Sequence, residues 1–307
     1  MPPDAGILYI TTGGGGAPLY PTCPHPPCPL VAFPASINHY LHVDVNGGKM
    51  TIAPVGVDSS IIEPNGKAVI LQPAPSITGD SVVNAASFVK SVAPGSLISI
   101  FGRYVSLGEE SAQTLPLPAT MAGTQVTLNG RRLPLLFVSR SQINAQIPFD
   151  AAGNATLRVT TTNGFSEAVI RISPAAPGIF FAGENPAVLH QNGSLVTAAS
   201  PAVPGEFVTI YMTGLGAVSG DIAAGDPSPS SPLLFCKSEV QVVIGSQTIQ
   251  PSFAGLTPGF AGLYQVNFQV PSDLTSGIFP LSVSASGVVS NQANLVVQAK
   301  APAAATP

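Results

Sequence analysis

The sequence has very few charged residues, and this shortage excludes several kinds of partner. Only 8% of its 307 residues are Asp, Glu, Lys or Arg, whereas about 25% is typical of soluble domains. The formal net charge is −4 and no basic run occurs, so nothing provides the electrostatic footprint that nucleic acid or an anionic membrane needs. No window approaches the roughly 18 uninterrupted apolar residues of a membrane span. We therefore expect neither a nucleic-acid partner nor a membrane span.

A signal peptide is also missing from the start of the chain. The first ten residues, "MPPDAGILYI", have no basic n-region and no apolar h-region of the usual length. Two interpretations follow: the protein stays in the cytoplasm, or the true N-terminus of an exported protein lies upstream.

Cysteine is scarce as well, since three residues are too few for a disulfide scaffold. Cys23 and Cys28, in "CPHPPC", could pair in an oxidising compartment. With His25, His39 and His42 they could instead form a zinc site, although this spacing matches no standard zinc module. His39 and His42 would point to opposite faces of an extended segment. A local disulfide, a zinc site and free cysteines all remain open, and Cys236 stands alone.

A run of four glycines, residues 13–16 of "YITTGGGGAPLYP", resembles a phosphate-binding loop at first sight. Such a loop needs a Lys and a helix N-terminus beside the glycines. Here no Lys precedes Lys49 and the next segment is too rich in proline to form a helix. The sequence predicts a flexible turn at the end of a strand.

Residues that favour turns and strands are abundant. Gly and Pro number 31 and 32, and Thr, Ser and Val are frequent. This composition suits short strands better than long helices. We predict an all-β protein.

The chain also repeats itself beyond residue 75. Three segments recur in the same order: "VAPGSLISIFG" as "AVPGEFVTIYMTGLG", "TQVTLNGRRLPLLFV" as "VQVVIGSQTIQPSFAG", and "QINAQIPFD" as "YQVNFQVPSD". The first is a Pro-Gly turn followed by a strand that alternates about one buried face. The second is a strand, a glycine turn and a returning strand, with Asn129-Gly130 as the strongest hairpin signal. Each copy ends in a pair of strands.

This pattern predicts two tandem immunoglobulin-like β-sandwiches preceded by a short β-hairpin segment. The predicted divisions are residues 1–72, 73–176 and 177–299, with a disordered tail at 300–307 and a hinge within 173–180. Each sandwich has one long loop rich in Pro, Ser and Gly, at residues 102–123 and 216–238. These loops are either binding sites or plain connections.

The repeated motifs resemble a known family. "VVNAASF", "PLPATMAGTQVTLNG", "PAAPGIF", "YMTGLG" and "FAGLTPGFAGLYQVNFQVP" are similar, in this order, to the Solibacter uncharacterized C-terminal domain, over residues 82–298. Each half also resembles an IPT/TIG domain. The resemblance implies two immunoglobulin-like repeats at the C-terminal end of an exported protein, and hence an extracellular or cell-surface location of the full-length parent. It implies no activity.

Residues 7–63 resemble the end of a calcineurin-like metallophosphoesterase of the purple acid phosphatase type. The resemblance rests on "ILYITTGGGGAPLYP" and a hairpin of the form H-x-x-x-V-x-V-x-G-x-x-x-T at 39–51, slightly altered here. That family holds two metal ions with Asp, Asn and His motifs, and none of these motifs occurs in this chain. No ligand can therefore be transferred to a residue here.

A search for independent chemistry gives no site. The chain has no Gly-x-Ser-x-Gly elbow, and His190 is expected to be a surface loop residue. Asp44, Asn46 and Gly48 faintly resemble a calcium loop but are better explained by a hairpin turn. We predict no catalytic residue, no metal ligand and no cofactor.

The sequence thus favours a non-catalytic module for attachment, spacing or interaction. A cell-surface or extracellular protein or polysaccharide is the expected kind of partner. The alternative is that the chain is the C-terminal fragment of a secreted metal-dependent phosphoesterase whose catalytic motifs lie upstream of Met1.

Overall fold

The computed structural model describes residues 39–46, 49–56, 69–71 and 73–299. The chain divides into two compact units, Met1–Pro73 and Ala74–Pro307, and each is described by itself. The glycine run at 13–16 and the candidate disulfide or zinc residues Cys23, His25 and Cys28 lie outside the described residues.

The first unit contains a three-stranded antiparallel sheet in the order β1-β2-β3. Its strands are β1 (His39–Asn46), β2 (Lys49–Gly56) and β3 (Val69–Leu71). Asn46 pairs with Lys49 at the end of the β1–β2 ladder, and the hairpin prediction is confirmed. The third strand, β3, was not predicted.

The second unit begins with a β-sandwich of two antiparallel sheets. One sheet has the order β4-β5-β10-β9-β6 and the other β12-β11-β7-β8. A 3₁₀ turn at Gly79–Ser81 precedes the strands. The strands of this first sandwich are β4 (Val82–Asn84), β5 (Leu97–Phe101), β6 (Glu110–Ser111), β7 (Gln125–Leu128), β8 (Arg131–Arg132), β9 (Leu135–Val138), β10 (Gln142–Gln146), β11 (Gly153–Thr161) and β12 (Gly164–Ile172).

A second sandwich follows with a similar arrangement. One sheet has the order β13-β17-β21-β20, with β16 also on β17, and the other β19-β18-β22-β23, with β24 also on β22. A short ribbon pairs β14 with β15. The strands are β13 (Gly178–Ile179), β14 (Phe181–Ala182), β15 (Asn185–Pro186), β16 (Val188–His190), β17 (Phe207–Thr213), β18 (Val240–Ile244), β19 (Gln247–Ile249), β20 (Phe253–Leu256), β21 (Tyr264–Gln269), β22 (Gly277–Ala285), β23 (Val288–Val289) and β24 (Ala293–Val297).

The protein is therefore all-β, with two tandem immunoglobulin-like β-sandwiches, as predicted. The Asn129-Gly130 turn is confirmed too: Leu128 pairs with Arg131, and both turn residues have positive φ, 48° and 82°. Positive φ at both central positions is what a tight hairpin of this kind requires.

The returning strand of each repeat differs from the prediction. It pairs with its hairpin partner only briefly, as β8 or β19, and then continues as β9 or β20 in the opposite sheet. Pro134 and Pro251 lie at these two transitions. Proline cannot donate to the ladder, so the strand ends there and the chain crosses to the other sheet.

Each sandwich has its own apolar core between its sheets. In the first, Ile98, Ile100 and Leu157 have no exposed surface; in the second, the same is true of Ile210 and Phe268. No helix in the described ranges is long and apolar enough to cross a membrane.

One strand was predicted wrongly in detail. We expected β5 to alternate between a buried and an exposed face, but Leu97 to Ile100 are all buried. Leu97 is covered because the second sandwich packs against its end of the strand, where a Cβ on Gly262 would collide with the Leu97 side chain.

Candidate functional site at the joint between the sandwiches

The two sandwiches meet end to end through buried polar groups, a contact that we call the joint. Asn84 Nδ2 donates to the carbonyl oxygen of Ala176 at 2.8 Å. The Gly225 N–H donates to Gln146 Oε1 at 2.7 Å. The Leu97 N–H donates to Thr213 Oγ1 at 2.9 Å. Because the joint is closed to water, each of these groups depends on its partner across it.

Tyr264 closes the joint from the second sandwich. Its side chain has no exposed surface, and its hydroxyl donates to the Gly216 carbonyl oxygen and lies 3.3 Å from that of Pro94. Burial raises the pKa of this phenol well above its usual range, and Cys236 adds to the effect. Tyr264 therefore holds the two sandwiches together and is not suited to acid–base chemistry.

The segment at 173–180, in which we predicted a hinge, is largely buried and hydrogen-bonded. Ala175 and Ala176 are buried, and the Ala176 N–H donates to the Gly214 carbonyl oxygen at 2.8 Å. A Cβ on Gly214 would run into the carbonyl oxygen of Ala176, so the two backbones touch only because a glycine is present. Buried backbone with satisfied hydrogen bonds does not bend freely.

A cleft of about 660 Å³ opens beside the joint. The first sandwich contributes Arg131, Phe149 and Asp150, and the second contributes the loop at 216–238. This is one of the two long loops whose role was left open in the sequence. The volume is within the range of small-molecule and oligomer sites.

The loop at the cleft is anchored to the first sandwich. Gly225 bridges the two by donating its N–H to Gln146 and accepting at its carbonyl oxygen from the Leu117 N–H at 2.9 Å. A side chain on Gly225 would collide with Pro134, and its φ of +91° is also unfavourable for other residues. The cleft is therefore formed before any ligand arrives.

The cleft carries charges of both signs. Arg131 Nη1 contacts both carboxylate oxygens of Asp150, at 2.7 and 2.9 Å. Asp221, Asp226 and Lys237 complete the charged lining. Such a surface can form hydrogen bonds and ion pairs with a polar ligand, and its mixed charge creates no strong field of one sign.

His190 is not the surface loop residue that we predicted. It ends strand β16, and only 12% of its side chain is exposed. Nδ1 lies 2.9 Å from Glu206 Oε1, and Nε2 lies 3.1 Å from the Ser200 carbonyl oxygen and 3.3 Å from Ser200 Oγ. This order of groups resembles a catalytic triad. A neutral imidazole carries one N–H. With the proton on Nδ1, toward Glu206, Nε2 can accept from Ser200 Oγ; with the proton on Nε2, the ring donates to the Ser200 carbonyl oxygen instead. His190 links strand β16 to the turn before β17.

The remaining candidates from the sequence do not form a reactive site. Desolvation raises the pKa of the Cys236 thiol to about 12, so this cysteine is a poor nucleophile at neutral pH. His39 and His42 lie on opposite faces of β1. Within the described ranges, no three His, Cys, Asp or Glu side chains form a group that could hold a metal ion.

Sequence reasoning missed the joint residues Asn84, Gln146 and Thr213. One signal was available for Gln146, a long polar side chain directly after the buried Ala145 and before the buried Ile147. Its copy in the other repeat, Gln269, stands in the same motif, so the sequence alone did not distinguish the buried glutamine from the exposed one.

No protein family matches the sequence, and no curated protein is detectably related to it. One similar solved structure is SGBP-B of a mixed-linkage glucan utilization locus from Bacteroides ovatus, in complex with a heptasaccharide. It is 12% identical to this chain with a TM-score of 0.32, and the match covers 82% of this chain and 52% of that one. SGBP-B of a xyloglucan utilization locus from Bacteroides uniformis is 15% identical with a TM-score of 0.25, over 74% and 50%. The Escherichia coli adhesin FdeC is 12% identical with a TM-score of 0.22, over 81% and 74%.

The chain spans about half the length of the two SGBP-B chains. At these identities the likeness concerns the β-sandwich fold alone.

Proposed function

We propose that this chain is a non-catalytic interaction module of an exported protein, and that it contacts an extracellular or cell-surface polymer through the cleft beside the joint. The observation that supports this most directly is the double hydrogen bond of Gly225, which fixes the cleft between two rigid sandwiches. A site formed in advance does not lose affinity through loop ordering.

The lining of the cleft favours a polar ligand recognised by hydrogen bonds. Arg131 and Asp150 already neutralise each other, which leaves Lys237 with Asp221 and Asp226. Phe149 is the one aromatic side chain in the lining. A hydroxyl-rich polysaccharide or an extended polypeptide fits this mixture better than a strongly charged polymer.

The test compares the double variant Asp221→Ala/Lys237→Ala with the control Asp80→Ala/Lys90→Ala. The control removes an exposed ion pair outside the cleft, of 3.1 Å. Soluble polysaccharides are screened by affinity electrophoresis, and surface proteins by capture on immobilised chain. We expect the cleft variant to bind about tenfold more weakly and the control to bind as the wild type does.

Equal binding by the two double variants would exclude the cleft as the contact surface. Turnover of any phosphate ester by the purified chain, lost on chelation, would contradict the non-catalytic proposal.

The phosphoesterase alternative concerns the parent protein. The observation in its favour is the β1–β2 hairpin, whose residues carry the resemblance to the end of a metallophosphoesterase. Translating the DNA upstream of Met1 tests it. An in-frame continuation with the Asp and His motifs and a signal peptide would make the parent an enzyme, whereas an immediate stop codon would exclude it.

A further inference from the structure

The end of the second sandwich that lies away from the joint has the same structure as the end of the first sandwich at which the joint forms. Leu97 pairs with Gln146 in the first sandwich, and Phe207 pairs with Gln269 in the second. Gln146 Nε2 donates to the Gly95 carbonyl oxygen at 3.3 Å, and Gln269 Nε2 donates to that of Gly205 at 2.8 Å. The two ends are thus equivalent in register and in hydrogen bonding.

The ends differ in what covers them. Leu97 is 8% exposed and Gln146 is fully buried, because the second sandwich sits on them. Phe207 is 40% exposed and Gln269 is exposed. Gln146 Oε1 accepts from Gly225, whereas Gln269 Oε1 has no hydrogen-bond partner among the described residues. We call the surface formed by Glu206, Phe207, Gln269 and Asp273 the distal end.

The opposite end of the first sandwich is equivalent to the side of the second sandwich that faces the joint. By their registers, strands β5 and β10 of the first sandwich correspond to β17 and β21 of the second. The positions of Thr213, Leu263 and Tyr264 are therefore occupied in the first sandwich by Arg103, Arg140 and Ser141. Arg103, Arg140 and Ser141 are exposed, and we call the surface that they form the proximal end.

The charges of the two ends are complementary. The distal end carries the exposed carboxylate of Asp273, which also accepts from Gln247 Nε2 at 3.3 Å, and the half-buried carboxylate of Glu206, which also contacts His190 Nδ1 at 2.9 Å. The proximal end carries two guanidinium groups. Arg140 is held over the Tyr104 ring, at 4.8 Å from its centroid. Opposite charges on two matching surfaces guide them together and penalise other orientations.

We propose that the distal end docks on the proximal end of a second copy of this chain, in a head-to-tail contact that follows the geometry of the joint. Phe207 takes the place of Leu97, and ion pairs from Arg103 and Arg140 to the distal carboxylates replace the internal hydrogen bonds. Such a contact is heterologous, so each added copy leaves an end for the next one.

Sedimentation velocity of the full chain over a range of concentrations tests this. We expect complexes larger than a dimer at high concentration, which dissociate as salt screens the ion pairs. Arg103→Glu/Arg140→Glu and, separately, Asp273→Arg should each weaken association by about tenfold or more. A mixture of these two variants should associate again, because each then presents the charge that the other needs. The matched control is Arg132→Glu on β8, which should associate as the wild type does.

Three results would overturn the proposal. The wild type could stay monomeric at every concentration, the mixed variants could fail to associate, or Arg132→Glu could weaken association equally. Loss of polysaccharide binding in Asp273→Arg, with a wild type that never associates, would assign the distal end to a glycan instead. None of the substituted residues lines the cleft, so failure here leaves the cleft proposal to its own test.

Discussion

Gln146 shows how strongly a single polar side chain can depend on its surroundings. It joins three segments, because it bonds to Gly95 within its own sandwich and to Gly225 in the next one. Burial makes both bonds necessary, since a lost partner would leave an unsatisfied group away from water.

The difference in burial between Gln146 and its exposed equivalent Gln269 gives a stability prediction with an internal control. Gln146→Ala removes both bonds, leaves the Gly225 N–H unpaired and opens a cavity, so we expect the free energy of unfolding to fall by about 3 kcal/mol. Gln269→Ala changes the equivalent but exposed residue and should cost about 0.5 kcal/mol. Urea denaturation of both variants measures the difference. Equal losses would mean that the joint contributes nothing through Gln146.

At this scale the sequence was a partial guide. It marked Gln146 and Gln269 as equivalent, but burial depends on what packs against a residue, which a single strand does not encode. His190 was misjudged for the same reason: its partner Glu206 is 16 residues away, across a turn whose geometry is not evident from the sequence.

Strands and turns were largely predictable, because they depend on local chemistry. The nine-residue strands β11 and β12 follow from their alternating pattern, and Asn129-Gly130 determines a hairpin by its backbone preferences. The change of sheet at Pro134 and Pro251 was not predicted. Proline signals that pairing ends, but not which sheet the chain joins next.

The segment at 173–180, which we call the link, touches the backbone of the second sandwich at Gly214, and this contact gives a prediction. Gly214→Ala places a Cβ against the Ala176 carbonyl oxygen at a residue with φ of +83°. We expect it to lower the free energy of unfolding by more than about 3 kcal/mol, since both strain and a clash arise.

The matched control for this substitution is Gly193→Ala. Gly193 has φ of +82° and no atom within 4 Å of its added Cβ, so only the strain of about 1 kcal/mol should remain. Thermal unfolding of both variants gives the comparison. If Gly193→Ala is as damaging as Gly214→Ala, the close approach at the joint is not responsible.

On the scale of the whole molecule, the described strands of the first unit bury few apolar side chains compared with the two sandwiches. The buried apolar side chains in the described part of the first unit are Ile52, Ala53 and Val55. Each sandwich of the second unit contains a much larger cluster. Among the described strands, β1 and β3 form the two edges of the three-stranded sheet, and edge strands have one unpaired side.

Hydrogen exchange should reveal this difference. Amides of β1 and β2 are expected to exchange about a hundredfold faster than those of β5, β10 and β11, because little apolar burial opposes local opening. Mass spectrometry of peptides from 39–56 and 96–172 measures both in one experiment. Equal protection would count against the hypothesis that residues 7–63 are the remnant of a larger sheet. The domain divisions at 72 and 176 stay predictions.

The groups that the second sandwich and the link bring to the joint are mostly main-chain atoms: the carbonyl oxygens of Ala176 and Gly225 and the N–H of Gly225. Every residue type except proline supplies these atoms, so a substitution in those segments leaves them in place unless it falls on a closely packed glycine such as Gly214 or Gly225. An insertion or deletion would move all of them at once. The angle between the sandwiches is therefore inherited chiefly through the number of residues in the link and through the glycines that allow the close approach.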